Sequence, residues 1–183
     1  MNQARLLAKS KNIENVTGLY SGYLPDGILL LEQYDGVFSL DVIDHIENGF
    51  EAVIGLKNLL AKDGVLIVTV PAYQWLWSAN DDANHHFRRY TKKSFSRLLE
   101  AAGFKIRYTS YFNSILFPLA VLKRIIENFL PKKSIGDAWE VKMPSSWVNT
   151  LLKKLFELEC LWAGKLSIPF GLSVVIVAEL KEK

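Results

Sequence analysis

The sequence predicts an α/β fold, a mostly parallel sheet with crossover helices, and three observations predict it. Apolar, β-prone runs alternate with segments of helical period between Tyr34 and Tyr111. The first two clear runs, residues 36–42 and 65–70, are apolar nearly throughout, which is the pattern of strands covered on both faces. Pro71 and Gly103 stand where a strand and a helix would stop.

Each element follows in order. Residues 3–10 have helical character, residues 16–20 read as a short strand, and SGYLPDG at 21–27 reads as a turn. The run at 36–42 is the first well-defined strand. Residues 50–60 then place Val53, Leu56, Leu59 and Leu60 on one helical face, with Lys62 and Gly64 as the expected closure. Residues 65–70 form a second strand ended by Pro71. A helix at 92–102 takes Thr91 as its N-cap and Gly103 as its stop, and a third strand follows at 104–111.

The alternation then changes. Residues 115–130 and 147–162 have helical spacing, separated by a polar connection carrying PKK and MPSS, and a last strand is expected at 172–180. The expectation is one domain, residues 1–183, in which 115–170 is a helical insertion or lid.

With 183 residues, 50% hydrophobic and 12% aromatic, the chain can bury one substantial core, and its composition excludes a disordered segment protein. A lone cysteine, Cys160, excludes an internal disulfide and a cysteine-based zinc site, points to a reducing cytoplasm, and reads as a buried small hydrophobe. No segment has the ~20 apolar residues that span a bilayer, and the first residues lack the apolar core of a signal peptide. The net charge of +3 is too small for a nucleic-acid footprint, so no nucleic-acid partner is expected. Its excess lies between Ile115 and Phe170, where eight Lys or Arg face five Asp or Glu. That bias suits an anionic substrate or peripheral contact with a membrane surface.

In open parallel sheets, ligands bind beyond the carboxyl ends of the strands. Asp41, Asp44 and His45 follow one such end; Pro71, Ala72 and Tyr73 follow the next. Histidines at 45, 85 and 86 could act as bases near neutral pH. His45 could equally cap a helix or bond a backbone carbonyl, and His85 and His86 could be solvated loop residues. Arg88 and Arg89 could clamp a carboxylate or phosphate, or pair with Asp81 and Asp82. Trp75 and Trp77 could line an acceptor pocket or simply pack. The D-x-x-D-H spacing at 41–45 suits a hard or borderline divalent ion.

The order of these pieces resembles the class I S-adenosylmethionine-dependent methyltransferases of the type 11 and type 23 groups. YDGVFSLDVIDH matches the family's fourth-strand element, LLAKDGVLIVTVPAY its next helix end and strand, and HHFRRYTKKSFSRLLEAAGF with PFGLSVVIVAEL the later elements of a subgroup. The resemblance implies a Rossmann-like methyltransferase sheet, parallel with an antiparallel last strand and carrying an added C-terminal helical pair. It implies S-adenosylmethionine as cofactor, with Leu40, Asp41 and His45 at its methionine end. It also implies His45, His85 or His86 as catalytic groups, and Tyr73, Arg88, Arg89 and Tyr90 as substrate-binding groups. Metal-independent relatives share most of the D-x-x-D-H pattern, so no metal is expected.

The family's glycine-rich first turn is absent: no G-x-G occurs, and Gly18, Gly22 and Gly27 are dispersed. The chain is therefore expected to be truncated at its N-terminus, with an exposed sheet edge that a partner chain would cover. The expected activity is methyl transfer to an unknown small-molecule or lipid-linked acceptor. The alternative is a non-catalytic remnant or interaction subunit that does not bind the cofactor alone. A dehydrogenase of similar topology is disfavoured by the HHFRRYT and PFGLSVVIVAEL elements.

Overall fold

The computed structural model describes residues 33–129, 145–162 and 164–181, together with Gly22 and Leu24. The helix expected at 3–10, the strand expected at 16–20 and most of the 21–27 turn lie outside the described residues, as does most of the PKK and MPSS connection. Among the described residues the order is β1 (Tyr34–Leu40), a 3-10 turn (Ile43–His45), α1 (Gly49–Asn58), β2 (Leu60–Pro71) and a second 3-10 turn (Gln74–Leu76). There follow α2 (Ala79–Ala83), α3 (Lys92–Ala101), β3 (Phe104–Phe112), α4 (Phe117–Phe129), α5 (Ser146–Cys160) and β4 (Ser173–Leu180).

The sheet order is β1-β2-β4-β3. β1 and β2 are parallel, as a strand–helix–strand crossover requires, while β4 runs antiparallel to both β2 and β3. This is the expected mixed sheet with an antiparallel last strand. Its interior is apolar: Leu66, Val68 and Val70 of β2 and Val174, Ile176 and Ala178 of β4 are buried, with Phe95 and Leu99 of α3 and Ala52, Val53 and Leu56 of α1 packed into the same core.

Local chemistry explains the helix ends. The Asn48 side chain accepts from the backbone N–H of Glu51 at 3.3 Å and starts α1. Thr91 and Ser94 cap α3 reciprocally, with the Ser94 N–H donating to the Thr91 hydroxyl at 3.1 Å and the Thr91 N–H to the Ser94 hydroxyl at 2.9 Å. Gly103, at φ +94°, then turns the chain into β3.

Three expectations are corrected. Lys62 and Gly64 do not close α1, which ends at Asn58; they lie within β2, where pairing jumps from Tyr34↔Leu60 to Gly36↔Val65 and the extra residues bulge. A Cβ on Gly64 would stand 2.8 Å from the Tyr34 carbonyl oxygen, so glycine there serves close backbone approach. The strand expected to be covered on both faces alternates instead: Val37 and Ser39 are buried, but Phe38 is 67% and Leu40 57% exposed. Among the described residues, α1 and α3 pack together on the Val37 side of the sheet, which leaves the Phe38 and Leu40 side uncovered. Cys160, expected to be buried, is exposed at the end of α5. That helix turns Glu159 inward instead, and both Glu159 carboxylate oxygens accept from the Ser114 backbone N–H, at 3.0 and 3.1 Å.

No helix among the described residues is long and apolar enough to cross a membrane.

Candidate functional site at the ends of β1 and β2

Parallel pairing, ending with Leu40↔Thr69, sets the carboxyl ends of β1 and β2 side by side. The chain leaves β1 through Asp41 at φ +51°, a left-handed conformation that a short polar side chain tolerates. Thr69 holds this turn. The Asp41 N–H donates to the Thr69 carbonyl at 3.0 Å, and the Thr69 hydroxyl donates to Asp41 Oδ1 at 3.1 Å.

The 3-10 turn that follows drives Ile43 and Asp44 into the interior, both at 0% exposure. Burial pushes the Asp44 carboxyl above its ordinary value, opposed by its own backbone N–H dipole and by the neighbouring imidazoles. Among the described residues, neither carboxylate oxygen has a hydrogen-bond partner. What faces Oδ2 is His86 Nε2 at 3.5 Å and His45 Nε2 at 3.7 Å, the two rings perpendicular with centroids 4.3 Å apart. The structure thus brings His45 and His86 together. His85 sits exposed beside them at φ +56°, outside this cluster.

His86 is held from its other side. Its Nδ1 lies 3.0 Å from Asp81 Oδ1. Asp81 is buried and also accepts from Arg89 Nε at 2.7 Å, Arg89 Nη2 at 3.0 Å, and the Ser78 N–H and hydroxyl at 2.7 and 2.8 Å. Burial alone would raise this carboxyl, but the Arg89 and Ser78 donors outweigh it and hold it down at about 2. An ionised carboxylate only accepts, so His86 Nδ1 carries the proton directed at Asp81, and Nε2 is the ring nitrogen that faces Asp44.

The segment from His86 to Tyr90 is bound across both strand ends. The Phe87 N–H donates to the Asp44 carbonyl at 2.7 Å, the Tyr90 N–H to Pro71 at 2.9 Å, and the Tyr73 N–H to Tyr90 at 2.8 Å. Arg88 donates to the Glu47 carbonyl, and Arg89 Nη1 to the Ala72 carbonyl at 3.1 Å. Tyr90 is buried with its ring 4.8 Å from Phe95. Tyr73, at φ +58°, stacks on Tyr111 with centroids 4.9 Å apart and stands 5.6 Å from both Trp75 and Phe117. Burial and the Tyr111 hydroxyl push the Tyr73 phenol upward, so it stays protonated. Trp75 is exposed, and Trp77 donates from Nε1 to Asp82 at 2.9 Å.

Of the sequence alternatives for the arginines, the geometry pairs Arg89 with Asp81 and ties Arg88 to a backbone carbonyl. Sequence reasoning missed the orienting role of Asp81 and the short helix α2. The Ser78-x-x-Asp81 spacing, a capping-box pattern, was the available signal for both.

Residues 5–109 match the family described as "Methyltransferase domain". No curated protein sequence matches the chain. Among solved structures, the chain is similar to an S-adenosylmethionine-dependent methyltransferase from Clostridium acetobutylicum, with TM-score 0.51, 10% identity, and 97% of this chain and 72% of that one covered. It is similar to another from Mesorhizobium loti, with TM-score 0.51, 13% identity, and coverages of 95% and 75%. It is also similar to the [4+2]-cyclase SpnF, with TM-score 0.50, 12% identity, and coverages of 98% and 62%. At these identities the likeness shows the fold alone. The chain spans less than two thirds of the cyclase's length.

Proposed function

Because the chain belongs to the methyltransferase domain family, we propose that it transfers a methyl group from S-adenosylmethionine, the family's cofactor, to a small-molecule or lipid-linked acceptor beyond the ends of β1 and β2. The observation that carries this reading is the end of β1. There Leu40 presents an open apolar edge, Asp41 turns the chain away in a left-handed conformation, and the imidazoles of His45 and His86 meet with ring centroids 4.3 Å apart. These features fit the methionine end of the cofactor, with Leu40 and Asp41 as the residues that would hold it. When bound, the cofactor supplies an electrophilic methyl sulfonium.

The rest of the work falls to the chain's own groups. Positioning a nucleophile against that methyl accounts for much of the rate in such a reaction. Tyr73 would border the acceptor and the Tyr73–Trp75–Phe117 aromatic group would exclude water, while Tyr90, buried against Phe95 with Arg88 beside it, would support this wall from behind. His45 and His86 would polarise an acceptor hydroxyl. A lipid-linked acceptor is supported by α4, where Leu119, Leu122, Ile125 and Ile126 are exposed beside Lys123.

Calorimetric titration with S-adenosylmethionine and with its demethylated product tests the cofactor half. Saturable binding that weakens at least ~10-fold in Leu40→Arg, a loss of about 1.4 kcal/mol, is the expected result. Undetectable binding at millimolar ligand would sink the enzyme reading for this chain.

One observation favours a second reading, an interaction subunit that keeps the fold without the cofactor. Phe38 and Leu40 leave the outer face of the edge strand open, as a docking strand would. The same titration separates the two readings. The cyclase of similar fold is a reminder that this sheet supports more than one reaction.

A further inference from the structure

We propose that Asp44, His45 and His86 form a binding site for one divalent cation of the zinc class. This deepens the methyl-transfer reading, on which its catalytic purpose rests, by naming what polarises the acceptor hydroxyl.

The argument begins with Asp44. A fully buried carboxylate with no hydrogen-bond donor on either oxygen among the described residues is costly unless something else compensates it. The groups aimed at it are two imidazole nitrogens at 3.5 and 3.7 Å, too far for hydrogen bonds. Those separations are close to the edge of a tetrahedron around an ion with ligand bonds of ~2.0–2.2 Å, an edge of roughly 3.3–3.6 Å. The perpendicular rings let both nitrogens converge without the rings obstructing each other.

The surroundings match as well. A metal-bound imidazole commonly donates its other N–H to a carboxylate, which fixes the tautomer and raises ligand basicity. His86 Nδ1 does this toward Asp81, and Arg89 and Ser78 hold Asp81 in its accepting form. Two nitrogens and one carboxylate suit zinc-like ions rather than magnesium or calcium, which favour oxygen ligands throughout. Asp41, the other carboxylate of the D-x-x-D-H run, is outside the cluster, with Oδ1 bonded to Thr69. His45 is partly open to solvent, with a side-chain exposure of 39%, so the cation is reachable and keeps a position for water or an acceptor hydroxyl. An oxygen bound there would lose its proton far more readily than in water.

The test uses the full chain with Cys160→Ser, which removes the exposed thiol as a competing ligand. After chelation and dialysis, Co2+ is titrated and read by visible absorption, then displaced with Zn2+, all without S-adenosylmethionine. The expected result is one equivalent bound with intense four- or five-coordinate bands. Binding should weaken at least 10-fold in Asp44→Asn and in His86→Gln. Asp81→Asn, a positioning change, should weaken it ~10–100-fold while one equivalent still binds.

Because a substituted chain can fail to fold, imidazole NMR on the parent provides a second readout. With three histidines in the chain, Zn2+ should shift His45 and His86 and leave His85 in place. Any of three results overturns the proposal: no saturable binding by folded chain, unchanged binding in folded Asp44→Asn and His86→Gln, or a zinc response that spares His45 and His86. Absence of cation binding leaves methyl transfer standing, and absence of cofactor binding leaves the cation site standing, so the two failures are distinguishable.

Discussion

Asp81 collects five donors while almost wholly buried, so it is the residue whose loss should be felt most. Removing its charge partner leaves an uncompensated buried carboxylate, and Arg89→Ala should cost about 3–5 kcal/mol in urea unfolding at neutral pH. The pH dependence has a definite sign. The folded carboxyl sits at about 2, below its ordinary 3.8, so its contribution is complete above 3.8 and is lost as pH falls toward 2. Unfolding free energies at pH 6 and pH 2.5 should therefore converge in Asp81→Asn relative to the parent chain. A parent curve with no extra loss in that acid window would contradict the assignment. At this scale the sequence showed which residue types were gathered near positions 41–45 and 81–90. It did not show that Asp44 rather than Asp41 is the buried carboxylate, because burial depends on the direction of the 3-10 turn that follows β1.

The elements that were legible carry their boundary signals in local chemistry. Thr91 and Ser94 cap α3 where the sequence predicts it, and Thr91→Ala should lower stability by about 1 kcal/mol, visible as a thermal midpoint reduced by a few degrees. Gly171 precedes β4 and lies against the backbone of Phe112, which a Cβ would overlap. Gly171→Ala should destabilise by more than the typical point-mutant loss of about 1 kcal/mol; circular dichroism melts decide this, and an unchanged midpoint would refute the close approach. The elements that were misread lacked such a local signature. Gly64 looked like a helix stop because glycine commonly ends helices, but here it serves a bulge that exists only because β1 lies alongside. Likewise, Cys160 looked apolar and buried, while α5 turns Glu159 inward to bind the Ser114 N–H instead.

For the whole molecule, the informative feature is the edge of the sheet. β1 has one described neighbour, and Phe38 and Leu40 stand exposed on its outer face. A face of this kind promotes association. Phe38→Lys should reduce concentration-dependent self-association in sedimentation velocity while changing unfolding free energy by no more than about 0.5 kcal/mol. If association is unchanged, the open face is not what drives it. The helices α4 and α5 fall between β3 and β4 in the chain, so a long excursion separates two strands that pair throughout their length. The return is anchored on the sheet side by the Ser167 hydroxyl, which donates to the Thr109 carbonyl at 2.8 Å, and by the Ser110 hydroxyl, which accepts from the Ile168 N–H at 2.8 Å.

Sequence by itself determined the α/β class, the alternation of strand and helix, the antiparallel last strand implied by resemblance, and which residues gather at the carboxyl ends of β1 and β2. These are properties of period, capping and local order, which neighbouring residues impose on one another. Only the tertiary structure decided that His86 meets Asp44, that Asp81 and Arg89 stand behind it, and that His85 stays outside. Those contacts require parallel pairing of β1 with β2 and the return of residues 86–90 across both strand ends. They are set by distant backbone hydrogen bonds and burial, which no local pattern encodes.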